Sequence, residues 1–146
     1  MTTLRSRDRG QALVEFALVL PVFLMLLMGV FDLGRGIYMY NGVAQAAREI
    51  ARVTSVYPCQ GTPCTLGNSA QTAAVIQTQK GLVPNLGSPT FSCVDIDGSA
   101  STVSTVSCLA GEQVKVVIVA PYSPVTPLLS LIGTWNMQST STVSVQ

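Results

Sequence analysis

The chain has 146 residues, of which 48% are hydrophobic and 10% charged, against roughly 25% charged residues in an average soluble domain. The formal net charge is +1, and residues 1–10 hold the only basic cluster, so the cationic surface that nucleic-acid binding needs is missing. The chain has no histidine, which excludes Ser-His-Asp and Cys-His catalysis and histidine-containing zinc sites. The length suits one small domain with an appendage.

An apolar segment follows the basic leader at residues 1–10. Residues 16–31 carry no charge, and an extension back to Gln11 adds only Glu15. At ~1.5 Å per residue, a helix over 11–31 is about 30 Å long, the thickness of a bilayer's hydrocarbon core. Neither a cleaved secretory signal nor a buried core helix fits as well, because no small-x-small site follows closely. We predict a retained membrane helix with a cytoplasmic amino terminus, since the arginines precede it.

The helical spacing of apolar residues continues beyond the membrane segment. It persists through 37–56, and Pro58 stops it, so a single helix is predicted over 13–56. The predicted organisation is a cytoplasmic leader at 1–10, a transmembrane helix at 11–31, an exported continuation at 32–57 and an exported domain at 58–146. The exported half of the helix has a narrow alanine-rich stripe suited to packing on a sheet, with a coiled coil as the alternative.

The exported domain has the pattern of a small α+β unit. Asn68 or Ser69 is placed to cap a short helix that runs to Lys80 and ends at Gly81. β-branched and aromatic runs predict strands at 91–96, 103–108, 114–122 and 135–145. The predicted fold class is therefore α+β, with the long helix packed on a small antiparallel sheet.

All four cysteines fall on the predicted exported side, where disulfides persist. Local pairing is the simplest arrangement: Cys59 with Cys64 across a Gln-Gly-Thr-Pro turn, and Cys93 with Cys108 across a Gly/Ser-rich segment. A zinc site and free structural thiols are the alternatives, although the spacing is unlike that of usual zinc ligands.

Residues 10–16 read GQALVEF and place Glu15 inside an apolar helix. An ionised carboxylate costs several kcal/mol in a membrane, so an intramembrane glutamate is by default functional and partnered. The alternative is a glutamate at the cytoplasmic interface, where its cost is small. Elsewhere, no phosphate-binding loop, nucleophile elbow or paired-carboxylate motif occurs, so we expect no catalytic residue, cofactor, metal or small-molecule substrate.

The basic leader, together with Glu15 in the helix after it, resembles a class III signal sequence cut by a prepilin peptidase. The longer stretch at residues 9–53 resembles the TadE-like family of tight-adherence pilus proteins; it reads RGQALVEFALVLPVFLMLLMGVFDLGRGIYMYNGVAQAAREIARV. The resemblance implies cleavage between Gly10 and Gln11, and a pilin-like fold. It further implies that Glu15 neutralises the amino terminus of an adjacent subunit and that Pro21 interrupts the helix. Residues 120–133 (APYSPVTPLLSLIG) are also similar to the carboxyl-terminal part of such proteins.

The function expected from this resemblance is that of a pseudopilin or minor pilin, a structural component of a tight-adherence pilus or a related secretion machine. Its partners would be the bacterial inner membrane, the prepilin peptidase and other pilus subunits, and it would reside in that membrane or in a surface pilus. The alternative is a signal-anchored exported binding module that stays monomeric. An exported hydrolase is disfavoured because its catalytic groups are missing.

Overall fold

A computed structural model describes residues 5–60, 65–99, 108, 111–131 and 133–145. In chain order the elements are α1 (Arg5–Val56), β1 (Cys59–Gln60), β2 (Thr65–Leu66), α2 (Ala70–Leu82), β3 (Thr90–Val94), β4 (Gln113–Tyr122), α3 (Pro127–Ser130) and β5 (Trp135–Ser144).

Helix α1 has 52 residues and ends at Val56, just before Pro58. It begins at Arg5, earlier than the expected start at residue 13. Pro21 lies inside the helix, which continues on both sides of it. A kink at Pro21 stays a prediction.

Strands β3, β4 and β5 form an antiparallel sheet with β4 in the centre. The register pairs Cys93 of β3 with Val114 of β4 at one end of the sheet. At the other end, Tyr122 of β4 pairs with Trp135 of β5. Strands β1 and β2 make a separate two-stranded ribbon. The predicted strand at 103–108 lies outside the described residues except for Cys108.

The core lies between the exported half of α1 and one face of this sheet. Every second residue of β4 is buried, in the period-two pattern of a strand that covers a core with one face. The core side chains that are completely buried on α1 and β4 are Val43, Ala46, Ala47, Ile50, Ala51, Val114, Val116, Ile118 and Ala120. The helix presents mainly small side chains, which lets it lie close to the sheet. The α+β class with a long helix on a small antiparallel sheet is confirmed.

Helix α2 covers the flank of α1. Its cap is Ser69, whose Oγ accepts a hydrogen bond from the backbone N–H of Thr72 at 3.1 Å. It ends at Leu82, slightly beyond the predicted end. A Cβ on Gly42 of α1 would lie 3.1 Å from Cγ2 of Val83, so the missing side chain permits close approach here.

Candidate functional site

The amino-terminal half of α1 is an apolar rod that the rest of the described chain leaves almost uncovered. Within Gly10–Val56, an 18-residue window reaches a mean hydropathy of 2.5, and none of that window is buried inside the protein. Helix α1 is therefore long and apolar enough to cross a membrane. Its large side chains from Leu13 to Leu33 project outward on all sides. A helix that is apolar all round needs lipid or protein around it.

The predicted processing and assembly residues lie at the start of this rod. Gly10, Gln11 and Glu15 are all exposed on α1. A Cβ placed on Gly10 would meet nothing within 4 Å, so the space beside its Cα is open. The Glu15 side chain makes no hydrogen bond or ion pair with any described residue. The structure thus keeps these residues near one another on the helix and leaves them free for an external partner.

A buried carboxylate lies at the boundary between the exposed rod and the packed half of α1. The sequence alone did not point to it. Asp32 is only 6% exposed. Its carboxylate accepts hydrogen bonds from the backbone N–H of Val125 at 3.1 Å and that of Thr126 at 2.8 Å. The Thr126 hydroxyl donates to the same carboxylate. These bonds tie α1 to the segment between β4 and α3, and we call them the Asp32 latch.

Hydrogen bonding favours the charged form of this carboxyl. The Thr126 hydroxyl, followed by the N–H groups of Thr126 and Val125, lowers the pKa of Asp32 below its ordinary value, against an opposing effect of burial. Arg35, one turn further along α1, also favours the anion. Asp32 is therefore an ionised, fully partnered anchor near the end of the apolar rod.

Tyr122 and Arg35 extend the Asp32 latch. The Tyr122 hydroxyl donates a hydrogen bond to the backbone carbonyl oxygen of Asp32 at 2.8 Å. Burial is the main cause that raises the pKa of Tyr122, which keeps it a neutral donor. The Arg35 guanidinium lies 5.5 Å from the centre of the Tyr122 ring, within cation–π range. Its Nη1 also approaches the Ser123 carbonyl oxygen at 3.5 Å.

An apolar groove of about 680 Å³ runs between α3 and the rod, on the amino-terminal side of the Asp32 latch. Its lining is Pro21, Leu24, Met25, Leu26, Met28, Gly29, Val30, Leu33, Thr126 and Leu129. None of these lining residues carries a charge. Pro21, expected to interrupt the helix, thus also forms part of this groove.

The pair Cys93 and Cys108 lies at the opposite end of the sheet from the Asp32 latch. Cys93 and Cys108 are joined in a disulfide, with their Cα atoms 5.4 Å apart. Cys59 is also disulfide-bonded. Its expected partner, Cys64, lies outside the described residues. The Glu112 carboxylate comes within 4.8 Å of the Cys93 and Cys108 sulfurs, but sulfurs in a disulfide are not thiolate ligands for a metal ion.

Two features of this site were not predicted from the sequence: the Asp32 latch and the groove. A signal for the Asp32 latch existed, because Asp32 is the first charged residue after the uncharged run at 16–31. Its partners, however, are more than 90 residues away along the chain. No local pattern reports such a contact.

Comparison with known proteins finds a family match in the amino-terminal third of the chain. No curated protein and no solved structure matches the chain. A family model described as TadE-like protein matches residues 10–52. The match begins at Gly10 and includes Glu15, Pro21 and Asp32, whereas Thr126 and the sheet lie outside it. It confirms the resemblance of residues 10–52 to the TadE-like family, over a helix that is long and apolar enough to cross a membrane.

Proposed function

We propose that the protein is a TadE-like pseudopilin or minor pilin, a structural subunit of a tight-adherence pilus or related secretion machine. The observation that carries this proposal is the TadE-like match over a rod that the described chain leaves uncovered. Such a rod is suited first to lipid and then to the helices of neighbouring subunits. Residues 11–31 span the inner membrane, with residues 1–10 in the cytoplasm and 58–146 exported, as the basic leader favours.

Maturation removes the leader between Gly10 and Gln11 and leaves a new amino terminus on Gln11. Gly10 is exposed and the space beside its Cα is empty, which leaves room for an approaching prepilin peptidase. Glu15 then neutralises the Gln11 amine of an adjacent subunit, since each charge is costly alone in a low-dielectric layer. Positions 11 and 15 differ by ~6 Å along a helix axis, so this pairing sets a stagger of about that size between neighbours.

Processing is tested by intact mass in cells with and without their prepilin peptidase. Residues 1–10 should be lost only when the peptidase is present, and Gly10→Leu should block the loss. Gly34→Leu is the matched control, because Gly34 lies on the same helix and also has nothing within 4 Å of a built Cβ. An unchanged mass in both strains would refute processing.

The pairing is tested by Glu15→Ala at matched expression. The variant should be processed and inserted normally but assemble poorly, as judged by co-purification with pilus subunits and by piliation counts. Leu13→Ala, a neighbouring exposed position on the rod, should assemble normally. Glu15→Lys should be worse than Glu15→Ala, because it places two cations together. Normal assembly of Glu15→Ala would favour the alternative, a monomeric anchored binding module.

A further inference from the structure

Helix α3 belongs to the exported domain, yet it lies beside the apolar rod. Leu129 of α3 lines the same groove as rod residues from Pro21 to Leu33. The Asp32 latch fixes the chain just before α3, through Val125 and Thr126. Leu24 is ~12 Å below Asp32 along the helix axis, at about 1.5 Å per residue. The groove therefore extends alongside the part of α1 proposed to lie in the bilayer.

The segment around α3 has the surface of a membrane-contacting element. Residues 116–146 contain no charged side chain. Val125 is 71% exposed and Leu131 83% exposed, one on each side of α3. Both would be more stable in hydrocarbon than in water, because insertion removes their apolar surface from water.

Residues at the level of the Asp32 latch have the chemistry of the membrane–water interface. Trp135 is partly exposed and pairs with Tyr122, which is bonded to Asp32. Tryptophan is enriched at headgroup level, where one end of its ring meets hydrocarbon and the other meets water. Arg35 on the next turn supplies a cation that lipid phosphates attract.

We infer that α3, with Val125 and Leu131, is a membrane foot: it inserts into the exported-side leaflet of the bilayer that α1 crosses, and the groove holds lipid acyl chains. The inference rests on the proposed membrane span of α1. The Asp32 latch then sets how deep the foot sits, and the foot seats the exported domain on the membrane surface before assembly.

Lipid is the occupant favoured over a second copy, because the groove is continuous with the exposed surface of the rod. One wall is the rod itself, from Pro21 to Leu33. Lipid that surrounds the rod therefore enters the groove without any rearrangement. The surface of the foot also offers no charged group through which a protein partner would gain specificity.

The test uses tryptophan fluorescence, because Trp135 is the only tryptophan in the chain. One new tryptophan is introduced into full-length protein that carries Trp135→Phe. Each variant is reconstituted at low density into vesicles of phosphatidylethanolamine and phosphatidylglycerol whose acyl chains carry bromine atoms. Leu131→Trp reports the foot. Ile96→Trp is the matched control, since Ile96 is 78% exposed but follows β3 at the far end of the sheet. Phe23→Trp reports the membrane span.

We expect Leu131→Trp to lose most of its fluorescence, more with bromines near the headgroup than near the methyl end, and Ile96→Trp to keep its fluorescence. Quenching of Phe23→Trp without quenching of Leu131→Trp would overturn the membrane foot and leave the span intact. No quenching of Phe23→Trp would overturn both. A third outcome is that the tryptophan of Leu131→Trp is shielded from bromines and its emission shifts to the blue, with both effects growing as protein density rises. That outcome would overturn lipid as the occupant of the groove and favour a second copy of the chain. An intact Cys93–Cys108 bridge on non-reducing peptide maps verifies that each variant is folded.

Discussion

The two halves of α1 are both rich in apolar residues, yet those residues are exposed in one half and buried in the other. In the amino-terminal half, Leu18 is 70% exposed and its large apolar neighbours are exposed too. In the carboxyl-terminal half, Val43 and Ile50 have no exposed surface. The first half is apolar on all sides, whereas the second is apolar on one stripe only. The arrangement of apolar residues around the helix, rather than their number, indicates what each half packs against.

Side-chain size separates the halves as well. The rod carries mainly leucine, valine, phenylalanine and methionine, whereas the packed stripe includes Ala46, Ala47 and Ala51. Large side chains fill the fluid space between lipids, and small ones let a helix approach a sheet. Substitutions should therefore have very different effects on the two sides of the Asp32 latch.

The largest effect is expected from Ile50→Ala in the packed half. Ile50 is completely buried in the core, so its truncation should lower the free energy of unfolding of the exported domain by about 2 to 5 kcal/mol. Leu18→Ala, the matched truncation in the rod, should change that quantity by less than ~0.5 kcal/mol. Denaturant unfolding of full-length protein in nanodiscs measures both, and equal losses would contradict the division of α1 into two halves.

A somewhat smaller loss is expected when the Cys93–Cys108 bridge is removed. The bridge closes a sequence separation of 15 residues, and the loop-entropy estimate for Cys93→Ser with Cys108→Ser is about 2 to 4 kcal/mol. Non-reducing peptide maps should find the bridge in exported protein. Membrane insertion of the rod should be unchanged, because the bridge lies at the end of the sheet opposite the Asp32 latch. Unaltered unfolding of the double variant would refute a structural role for the bridge.

A smaller and pH-dependent effect is expected at Asp32, where the two halves meet. The hydrogen bonds from Thr126 and Val125 hold the folded pKa below the unfolded value. The Asp32 latch therefore stabilises the fold above the unfolded pKa, near 4, and this contribution disappears as the pH falls through the folded pKa. Asp32→Asn should destabilise at neutral pH and reduce the loss of stability on acidification. Thermal unfolding at a series of pH values measures this, and parallel curves for the variant and the parent chain would contradict it.

The smallest effect is expected at the exposed face of the packed half. Arg52 and Glu49 form an ion pair at 2.9 Å, but the Arg52 side chain is 70% exposed and the Glu49 side chain 41% exposed. Such pairs contribute little after solvent screening, so Glu49→Gln should change the free energy of unfolding by less than ~0.5 kcal/mol. A loss as large as that of Ile50→Ala would mean that this face is covered by another molecule.

Much of the fold follows from local patterns. The end of α1 before Pro58, the cap at Ser69 and the alternation of β4 depend on neighbouring residues and were predictable. The pairing of Cys93 with Cys108 was the simplest of several possibilities, because a short separation limits where the partner lies. The early start at Arg5 was not predicted, because weak propensities across a polar leader do not mark a helix end.

By itself the sequence determined the apolar rod, the position of all four cysteines after that rod, the alternating strands and the TadE-like segment. Each of these is a property of residues close together in the chain. The tertiary structure alone decided that Asp32 is held by Thr126 and Val125, and that Leu129 lies beside the rod. These contacts join segments more than 90 residues apart. Their geometry depends on how β4 packs across α1, and that packing depends on the shapes of many side chains at once.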